Sequence, residues 1–230
     1  MDALIDFEIL VKRKIRQYFT SFFAHRDIQK LTNSDFVIVS RNCWGGQVYQ
    51  YLQKPYNTPF VGLFLFGPCY MKLLANFDDY MQMDMDFLSV SKYPESKNNY
   101  PIGLLNDVEI HFQHYETEAE ALEKWNRRRD RMLENRNKDN YFFMVCDRRR
   151  INTEDLTKFH ELPFKNKVSF AFYDLATKKT NHIRFLTSKH NKKNRIPNGK
   201  KRFKLTFLYF DIVHWLNSGE ILRTRFKELR

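Results

Sequence analysis

The chain is poor in several features that mark common protein classes. Among its 230 residues it has only three cysteines and seven glycines. Cys43, Cys69 and Cys146 form no CxxC pair and cannot close a disulfide framework, which predicts a reducing compartment, the cytoplasm. No apolar run reaches the roughly 20 residues needed to cross a bilayer, and no secretory signal is expected. Without GxGxxG, a Walker loop or zinc-type spacing, the sequence predicts neither a cofactor nor a metal.

Aromatic side chains and positive charge, by contrast, are abundant. Hydrophobic residues make up 43% of the chain and aromatic residues 16%, enough apolar surface to exclude an intrinsically disordered protein. Lysine and arginine number 39 against 27 aspartate and glutamate residues, a formal net charge of +12. That excess predicts an anionic partner, which leaves nucleic acid, an anionic membrane face and phosphorylated substrates as alternatives.

Two basic segments bear on the choice among these partners. The N-terminal segment, about residues 3–24, has helical apolar spacing and a basic face, which suits either docking on anionic lipid or packing on the domain. The segment Lys189–Arg202 is strongly basic but has no aromatic side chain on which bases could stack. Because no nucleic-acid-binding motif is present either, the sequence disfavours nucleic acid and favours a membrane surface or a phosphorylated carrier.

Strands alternate with helices along the chain. Apolar or alternating patterns predict strands at 36–39, 60–65, 107–114 and 141–146. Near the C-terminal end, Val168–Tyr173 and His182–Leu186 flank Thr177–Lys179, a pattern typical of a hairpin. The sequence therefore predicts an α/β fold, a three-layer sandwich with a mostly parallel central sheet and an antiparallel hairpin near the C-terminal end. No linker or repeat divides it, so residues 1–230 are expected to form a single domain with an N-terminal amphipathic helix.

The turn after the first strand carries a candidate nucleophile, Cys43. In open α/β sheets ligands bind beyond the carboxyl ends of strands, and the residues after Cys43 are expected to begin a helix. Helix N–H groups favour a thiolate over a thiol and can stabilise an oxyanion. Gly45 and Gly46 let a substrate approach the backbone closely. The competing interpretation is a buried structural cysteine beside a tight turn.

Thiol catalysis also needs a base, itself oriented by a third group. His111 lies on the same predicted strand face as Glu109, and His114 follows closely. If this strand runs parallel to the one before Cys43, its histidines reach the same sheet edge, where Asp147 also ends a strand. The predicted site is therefore Cys43 with His111 or His114 as base, oriented by Asp147 or Glu109.

Other interpretations of the same segments stay open. Asp84-Met85-Asp86 resembles the DxD pattern by which many glycosyltransferases hold a divalent ion for a nucleotide-sugar. A glycosyltransferase-like or sugar-nucleotide-binding protein without a nucleophile would bind phosphates through the N–H groups of the turn after the first strand. A third alternative is a non-catalytic peripheral membrane or scaffold protein.

Several motifs together resemble one known family. The string Asn42-Cys43-Trp44-Gly45-Gly46 with Tyr49 looks like the signature of a bacterial family of unknown function, number nineteen-nineteen. Further matches follow in order over roughly residues 34–215, at 55–59, 61–64, 91–94, 100–103, 107–115, 121–131 and 139–140. Members of that family are often labelled exopolysaccharide biosynthesis proteins. We expect the signature residues Asn42, Trp44, Gly45, Gly46 and Tyr49, together with His114, to bind substrate.

The resemblance implies a role in making cell-surface polysaccharide. The sequence hypothesis is a cytoplasmic acyltransferase or hydrolase that uses a cysteine and acts on a carbohydrate precursor, phosphorylated or lipid-linked, with a peripheral position at the inner membrane face as one option.

Overall fold

Two β-sheets organise the chain in the computed structural model, which describes residues 2–97, 99–186, 189, 192–193 and 196–224. The strands are β1 (Val37–Ser40), β2 (Asp86–Leu88), β3 (Ile102–Leu105), β4 (Val108–His111), β5 (Tyr141–Cys146), β6 (Asn166–Ala171) and β7 (His182–Arg184). The helices are α1 (Asp2–Tyr18), α2 (Thr20–Lys30), α3 (Trp44–Tyr51), α4 (Gly67–Ala75), α5 (Phe77–Gln82), α6 (Glu118–Glu134), α7 (Thr153–Glu161), α8 (Gly199–Thr206) and α9 (Ile212–Ser218). A 3₁₀ turn at Lys138–Asn140 precedes β5. Within the described ranges, no helix combines the length and the apolar character needed to span a bilayer.

The larger sheet is parallel throughout and has the order β1-β5-β6-β7. Its central strand β5 is buried along its whole length, as expected for a strand with helices on both faces. The smaller sheet, β2-β3-β4, is antiparallel. The predicted α/β class with a mostly parallel sheet is confirmed.

Side chains that alternate along β5 enter two separate hydrophobic clusters. The first cluster takes Tyr141, Phe143 and Val145, and the second takes Phe142, Met144 and Cys146. Helices α4, α5, α6 and α7 contribute to the first cluster, whereas α3, α8 and α9 contribute to the second. Helices therefore cover both faces of the parallel sheet, which is the three-layer arrangement predicted.

The predicted C-terminal hairpin is wrong. Strands β6 and β7 pair in parallel, with Ser169 opposite His182. The segment 172–181 returns to the level of Ser169 before β7 begins in the same direction as β6, so Thr177–Lys179 is not a hairpin turn. Hydrophobic periodicity could not distinguish the two pairings, because parallel and antiparallel neighbours both alternate their side chains between faces.

Two further elements differ from the prediction. The segment 60–65 makes only one isolated antiparallel bridge, Phe64 with His111, instead of a regular strand. Gly62 in this segment has φ +77°, a left-handed conformation that interrupts an extended strand. The predicted helix over about residues 3–24 is instead two helices, α1 and α2, that meet at Phe19. The basic segment Lys189–Arg202 lies partly outside the described residues.

Arg41, directly after β1, joins three parts of the chain at the carboxyl edge of the parallel sheet. Its guanidinium is fully buried and donates to the carbonyl oxygens of Leu65, Cys146 and Arg148. Burial lowers the pKa of Arg41 from its usual range. No carboxylate within the described ranges forms an ion pair with this arginine. Its hydrogen bonds therefore connect the ends of β1 and β5 with the segment that leads into α4.

We expect Arg41→Met to destabilise the fold strongly. The substitution leaves the buried Leu65 carbonyl oxygen without its donor, at a cost of about 1–3 kcal/mol, and removes one hydrogen bond each from the carbonyl oxygens of Cys146 and Arg148, which keep a backbone donor. Urea unfolding followed by circular dichroism measures the free energy of unfolding. The control Arg127→Met removes an exposed arginine whose ion pair with Glu123 contributes less than about 1 kcal/mol. Equal losses in the two variants would contradict the role given to Arg41.

Candidate functional site

Cys43 occupies the N-cap position of α3, on the turn after β1. Two side chains shape that turn. Ser40 Oγ donates to the carbonyl oxygen of Asn42 (2.9 Å) and accepts from the Gly45 N–H (3.1 Å). Asn42 Oδ1 accepts from the Trp44 N–H at 3.1 Å. The predicted strand, turn and helix are thus present, with the cysteine at the carboxyl edge of the parallel sheet.

These same hydrogen bonds bear on the expected oxyanion hole. The N–H groups of Trp44 and Gly45, the first two of α3, already donate to acceptors on the chain itself. Neither is free to hold a substrate oxyanion without breaking its present bond. The expectation that the amides directly after Cys43 form that hole is therefore corrected: their hydrogen bonds hold the turn together instead.

The histidine that contacts the thiol is His114. Its Nε2 lies 3.4 Å from Cys43 Sγ, within hydrogen-bond reach for a sulfur atom. Cys43 is half-buried and His114 is exposed, so both are accessible from solvent. Burial raises the pKa of the Cys43 thiol, and the nearby charges of Arg202 and Lys200 offset only part of that effect. The resting cysteine is therefore a thiol that needs a base to become a nucleophile.

A tight contact beyond β4 positions His114. The His114 N–H donates to the Gly62 carbonyl oxygen (3.0 Å), and Tyr115 Oη donates to the Val61 carbonyl oxygen (2.6 Å). A Cβ atom at Gly62 would lie 2.8 Å from the Tyr115 ring, and φ at Gly62 is +77°. Both the backbone conformation and the space therefore require glycine here.

His111, the first candidate for the base, lies in a different environment. Its side chain is fully buried, stacked on Phe64 with ring centroids 4.6 Å apart. Its Nε2 is 3.5 Å from Glu109 Oε2, while Glu109 also accepts from Ser91 Oγ at 2.6 Å. The expected parallel alignment fails because β4 belongs to the antiparallel sheet. The structure therefore joins His111 with Glu109, and places His114 rather than His111 beside Cys43.

Asp147 follows β5 at the expected sheet edge but does not contact either histidine in the described structure. Its Oδ2 accepts from the Phe172 N–H at 3.2 Å, and its buried Oδ1 has no hydrogen-bond partner among the described residues. Burial raises the pKa of Asp147 to about 6, although the Phe172 N–H and the charge of Arg202 oppose the shift. Its position does not supply the third member of a triad.

The other predicted binding residues divide between the core and the surface. Trp44 and Tyr49 are buried in the second cluster, where Trp44 Nε1 donates to Thr206 Oγ1 at 3.0 Å. A Cβ at Gly45 would lie 2.5 Å from Ser40 Oγ, so this glycine allows α3 to pack on β1. These three residues are packed inside the fold and line neither of the pockets at Cys43. Asn42 and Gly46 do line pockets, as described next.

Two adjoining pockets open at Cys43. The large cleft has a volume of about 860 Å³ and is lined by Cys43, Gly46, Gln47, Gln50, Tyr56, Val61, Gly62, Lys97, Asn99, Tyr100, Gln113, His114, Tyr115, Lys124, Arg128, Asn198, Gly199 and Lys200. The arginine pocket has a volume of about 90 Å³ and is lined by Arg41, Asn42, Cys43, Phe64, Gln113, Arg148, Arg149, Asn198, Gly199 and Arg202. Neither set contains an aspartate or glutamate among the described residues. The surroundings of Cys43 therefore suit an anionic ligand.

Sequence reasoning missed most of these basic residues. Arg148 and Arg149 directly follow β5, and basic residues at the carboxyl end of a strand were a signal available in the sequence. Arg128 and Lys200 come from distant helices, and only the tertiary structure brings them to the cleft. Asp84 and Asp86 line neither pocket.

Fold and site together define a three-layer α/β protein with a cysteine–histidine pair at the carboxyl edge of its parallel sheet. The chain belongs to the family described as "Domain of unknown function (DUF1919)", whose model matches residues 14–217. It is similar to an uncharacterized protein of Haemophilus influenzae, with 37% identity over 202 residues that cover 85% of this chain and 91% of the relative. The family resemblance predicted from the motifs is therefore confirmed.

We expect His111 to make stability pH-dependent. Burial lowers the pKa of His111 to about 4, and the Glu109 carboxylate offsets this only in part. The unfolded chain takes up this proton near pH 6.5, so the contribution is fully present above about pH 6.5 and is lost as the pH falls toward 4. His111→Gln should flatten the dependence of the melting temperature on pH across this window.

His25→Gln is the matched control, because His25 is exposed and its substitution should leave the wild-type dependence unchanged. Asp147 acts in the opposite direction, since its raised pKa favours the folded state at low pH. Because wild type and His111→Gln both contain Asp147, the difference between their melting temperatures at each pH reports the contribution of His111. A variant curve parallel to that of wild type would contradict the prediction.

Proposed function

We propose that the protein is an acyltransferase of cell-surface polysaccharide biosynthesis that uses Cys43 as nucleophile and His114 as base. The observation that carries the proposal is the 3.4 Å contact between Cys43 Sγ and His114 Nε2 at the junction of two basic pockets. A thiol paired with an imidazole in an accessible cleft is the arrangement that covalent thiol catalysis requires.

The proposed reaction has two steps. His114 Nε2 takes the thiol proton as Cys43 Sγ attacks the carbonyl carbon of an activated acyl donor, a thioester or an ester. The leaving group departs with the proton from His114, which leaves a thioester on Cys43. A sugar hydroxyl then attacks that thioester, His114 takes its proton, and the thiol is restored as the ester forms. Water in place of the sugar would make the enzyme a hydrolase.

Basic side chains near the thiol favour the tetrahedral intermediates of this reaction. The Lys200 ammonium and the Arg202 guanidinium already act on the charge of Cys43. Positive groups placed where negative charge develops lower the barrier of acyl transfer. In this proposal these basic side chains take the role expected for the Trp44 and Gly45 N–H groups, which donate to Asn42 and Ser40 in the turn.

The proposed role in polysaccharide biosynthesis rests on the labels often given to members of this family. The proposed carbohydrate acceptor rests on the size and polarity of the large cleft. Reduced cysteines favour a cytoplasmic location, at the inner face of the membrane.

One observation favours a second candidate, a sugar-nucleotide-binding protein without a nucleophile. The basic pocket linings, free of carboxylates among the described residues, suit a diphosphate whether or not a thiol reacts. In this alternative Cys43 packs the turn and takes no part in chemistry. Two results together would favour the second candidate. The Cys43→Ala variant would bind a nucleotide-sugar in a calorimetric titration, and the alkylation rate of Cys43 would be the same in wild type and in His114→Asn.

We expect His114→Asn to slow the alkylation of Cys43 by roughly tenfold or more, because a thiol with a raised pKa forms thiolate only with the help of a base. A limiting pulse of iodoacetamide followed by intact and peptide mass measurement gives the rate at each cysteine. Cys69 and Cys146 are buried and serve as internal references, and Cys43→Ser identifies the labelled site.

The matched control is His25→Asn, which removes an exposed histidine of α2 and should label at the wild-type rate. Equal rates for wild type and His114→Asn would contradict the proposed pair.

A further inference from the structure

The arginine pocket holds a buried positive charge that forms no ion pair among the described residues, although the Asp147 carboxylate lies near enough for the two charges to interact. Arg202, on α8, is fully buried; its Nη2 donates to the Pro197 carbonyl oxygen at 2.8 Å. Its Nε has no hydrogen-bond acceptor, and no ion pair joins it to a carboxylate within the described part of the chain. A buried charge is costly unless it is paired. An orphaned donor in the wall of a pocket therefore points to an anion supplied from outside.

A second arginine reaches the same pocket from a strained loop. Arg149 and Arg150 follow each other with φ +49° and +66°, conformations that non-glycine residues seldom adopt. Two contacts hold them: the Gly67 N–H donates to the Arg149 carbonyl oxygen (2.7 Å), and Glu95 pairs with the Arg150 guanidinium. Backbone strain of this kind concentrates at ligand sites.

The Arg149 side chain lines the arginine pocket and is itself exposed. Its guanidinium carbon is 3.9 Å from the centroid of the Phe64 ring, which fixes its position by a cation–π contact. Arg149 is exposed and, unlike Arg150, forms no ion pair among the described residues. Its donors are therefore available to a ligand.

We propose that the arginine pocket binds a phosphoryl group of the substrate, directly beside Cys43. The guanidinium fork matches the oxygens of a phosphoryl group, and two arginines from different elements match its double charge. Cys43 lines both pockets, so a phosphoryl group in the small one leaves the large cleft for the rest of the molecule. This assignment rests on the proposed function, in that it takes the same cleft as the substrate site.

Calorimetric titration with inorganic pyrophosphate tests the site. Wild type should bind, and Arg149→Gln should weaken the affinity by roughly tenfold or more, as loss of a charge-assisted hydrogen bond predicts. Arg127→Gln is the matched control, because Arg127 is an exposed arginine of α6 that lines neither pocket and does not contact the loop of Arg149. It should bind like wild type.

Further titrations show which kind of molecule carries the phosphoryl group and whether other anions bind equally well. A nucleoside diphosphate sugar and a short-chain isoprenyl diphosphate, titrated separately, show which carrier binds more tightly, and loss of either affinity in Arg149→Gln supports the site. Cys43→Ser should keep the affinity, so failure of the thiol chemistry would not be mistaken for failure of this pocket. Absence of pyrophosphate binding to wild type, equal binding of acetate, or equal weakening in Arg149→Gln and Arg127→Gln would overturn the assignment.

An independent observation concerns the surface of α1 and α2. Seven large apolar side chains are exposed there: Leu4, Phe7, Leu10, Ile15, Tyr18, Phe19 and Phe22. Their exposure is not the result of a loose helix, since Ile9 is buried in the second cluster and Arg16 pairs with Asp27 at 2.7 Å. Monomeric proteins seldom expose so much apolar surface in one place without a partner.

Basic residues accompany the apolar side chains on α1. Lys14 is exposed, whereas Arg13 follows the buried Ile9 by one helical turn and lies close enough to Lys201 for their charges to interact. Exposed apolar side chains on a helix that also carries lysine are the pattern of helices that lie in the interface of an anionic bilayer. The formal net charge of +12 attracts an anionic surface and repels a second copy of the chain.

We further infer that the exposed face of α1 and α2 docks on a membrane surface with anionic headgroups. Co-sedimentation with vesicles of phosphatidylcholine, with and without phosphatidylglycerol, measures the bound fraction at low and high salt. Wild type should bind the anionic vesicles at low salt and be partly released at high salt.

Phe7→Asp should reduce the bound fraction several-fold, roughly as the loss of one buried aromatic side chain predicts. The matched control is Val90→Asp, which changes the net charge equally at a residue of similar exposure, 66% against 65% for Phe7. Wild type that stays in the supernatant at low salt, or equal effects of the two substitutions, would overturn the inference. So would a wild-type dimer in sedimentation velocity that Phe7→Asp dissociates, because the face would then bind a second copy.

Discussion

The buried guanidinium of Arg41 is the contact on which the site depends. It donates to carbonyl oxygens at the end of β5, in the loop after it and in the segment before α4, and it follows β1 directly. A single side chain thus fixes the positions, relative to one another, of the chain segments that form the carboxyl edge of the sheet. Cys43 lies two residues beyond Arg41, and Arg149 lies one residue beyond Arg148, one of the acceptors of Arg41, so the proposed nucleophile and the proposed anion pocket share this anchor.

The local part of the site could be predicted from the sequence because its causes are local. A buried strand, small polar residues and two glycines in the first turn of a helix define the turn at Cys43, and the structure has that turn. The role of the turn amides could not be predicted, because it depends on the rotamers of Ser40 and Asn42. Those side chains use the first amides of α3, which leaves positive side chains as the electrostatic partners of the thiol.

The non-local parts could not be predicted in the same way. Alternating burial is the same for parallel and antiparallel neighbours, so the pairing of β6 with β7 was not determined by periodicity. The sequence also could not distinguish His111 from His114 as the partner of Cys43, because both lie in one predicted strand whose sheet was not known. What separates them is the position of β4 in the second sheet, together with the hydrogen bond from the His114 N–H to the carbonyl oxygen of Gly62, a glycine in the left-handed conformation.

The position of His114 therefore makes the cysteine–histidine pair a property of the whole fold. The thiol lies at the end of a strand of the parallel sheet, whereas the imidazole follows β4 of the antiparallel sheet. The segment 60–65 connects the two: Phe64 forms the bridge with His111, the Gly62 carbonyl oxygen accepts from the His114 N–H, and the Leu65 N–H donates to the Arg41 carbonyl oxygen. A substitution in that segment therefore changes the distance between sulfur and nitrogen without altering either residue of the pair.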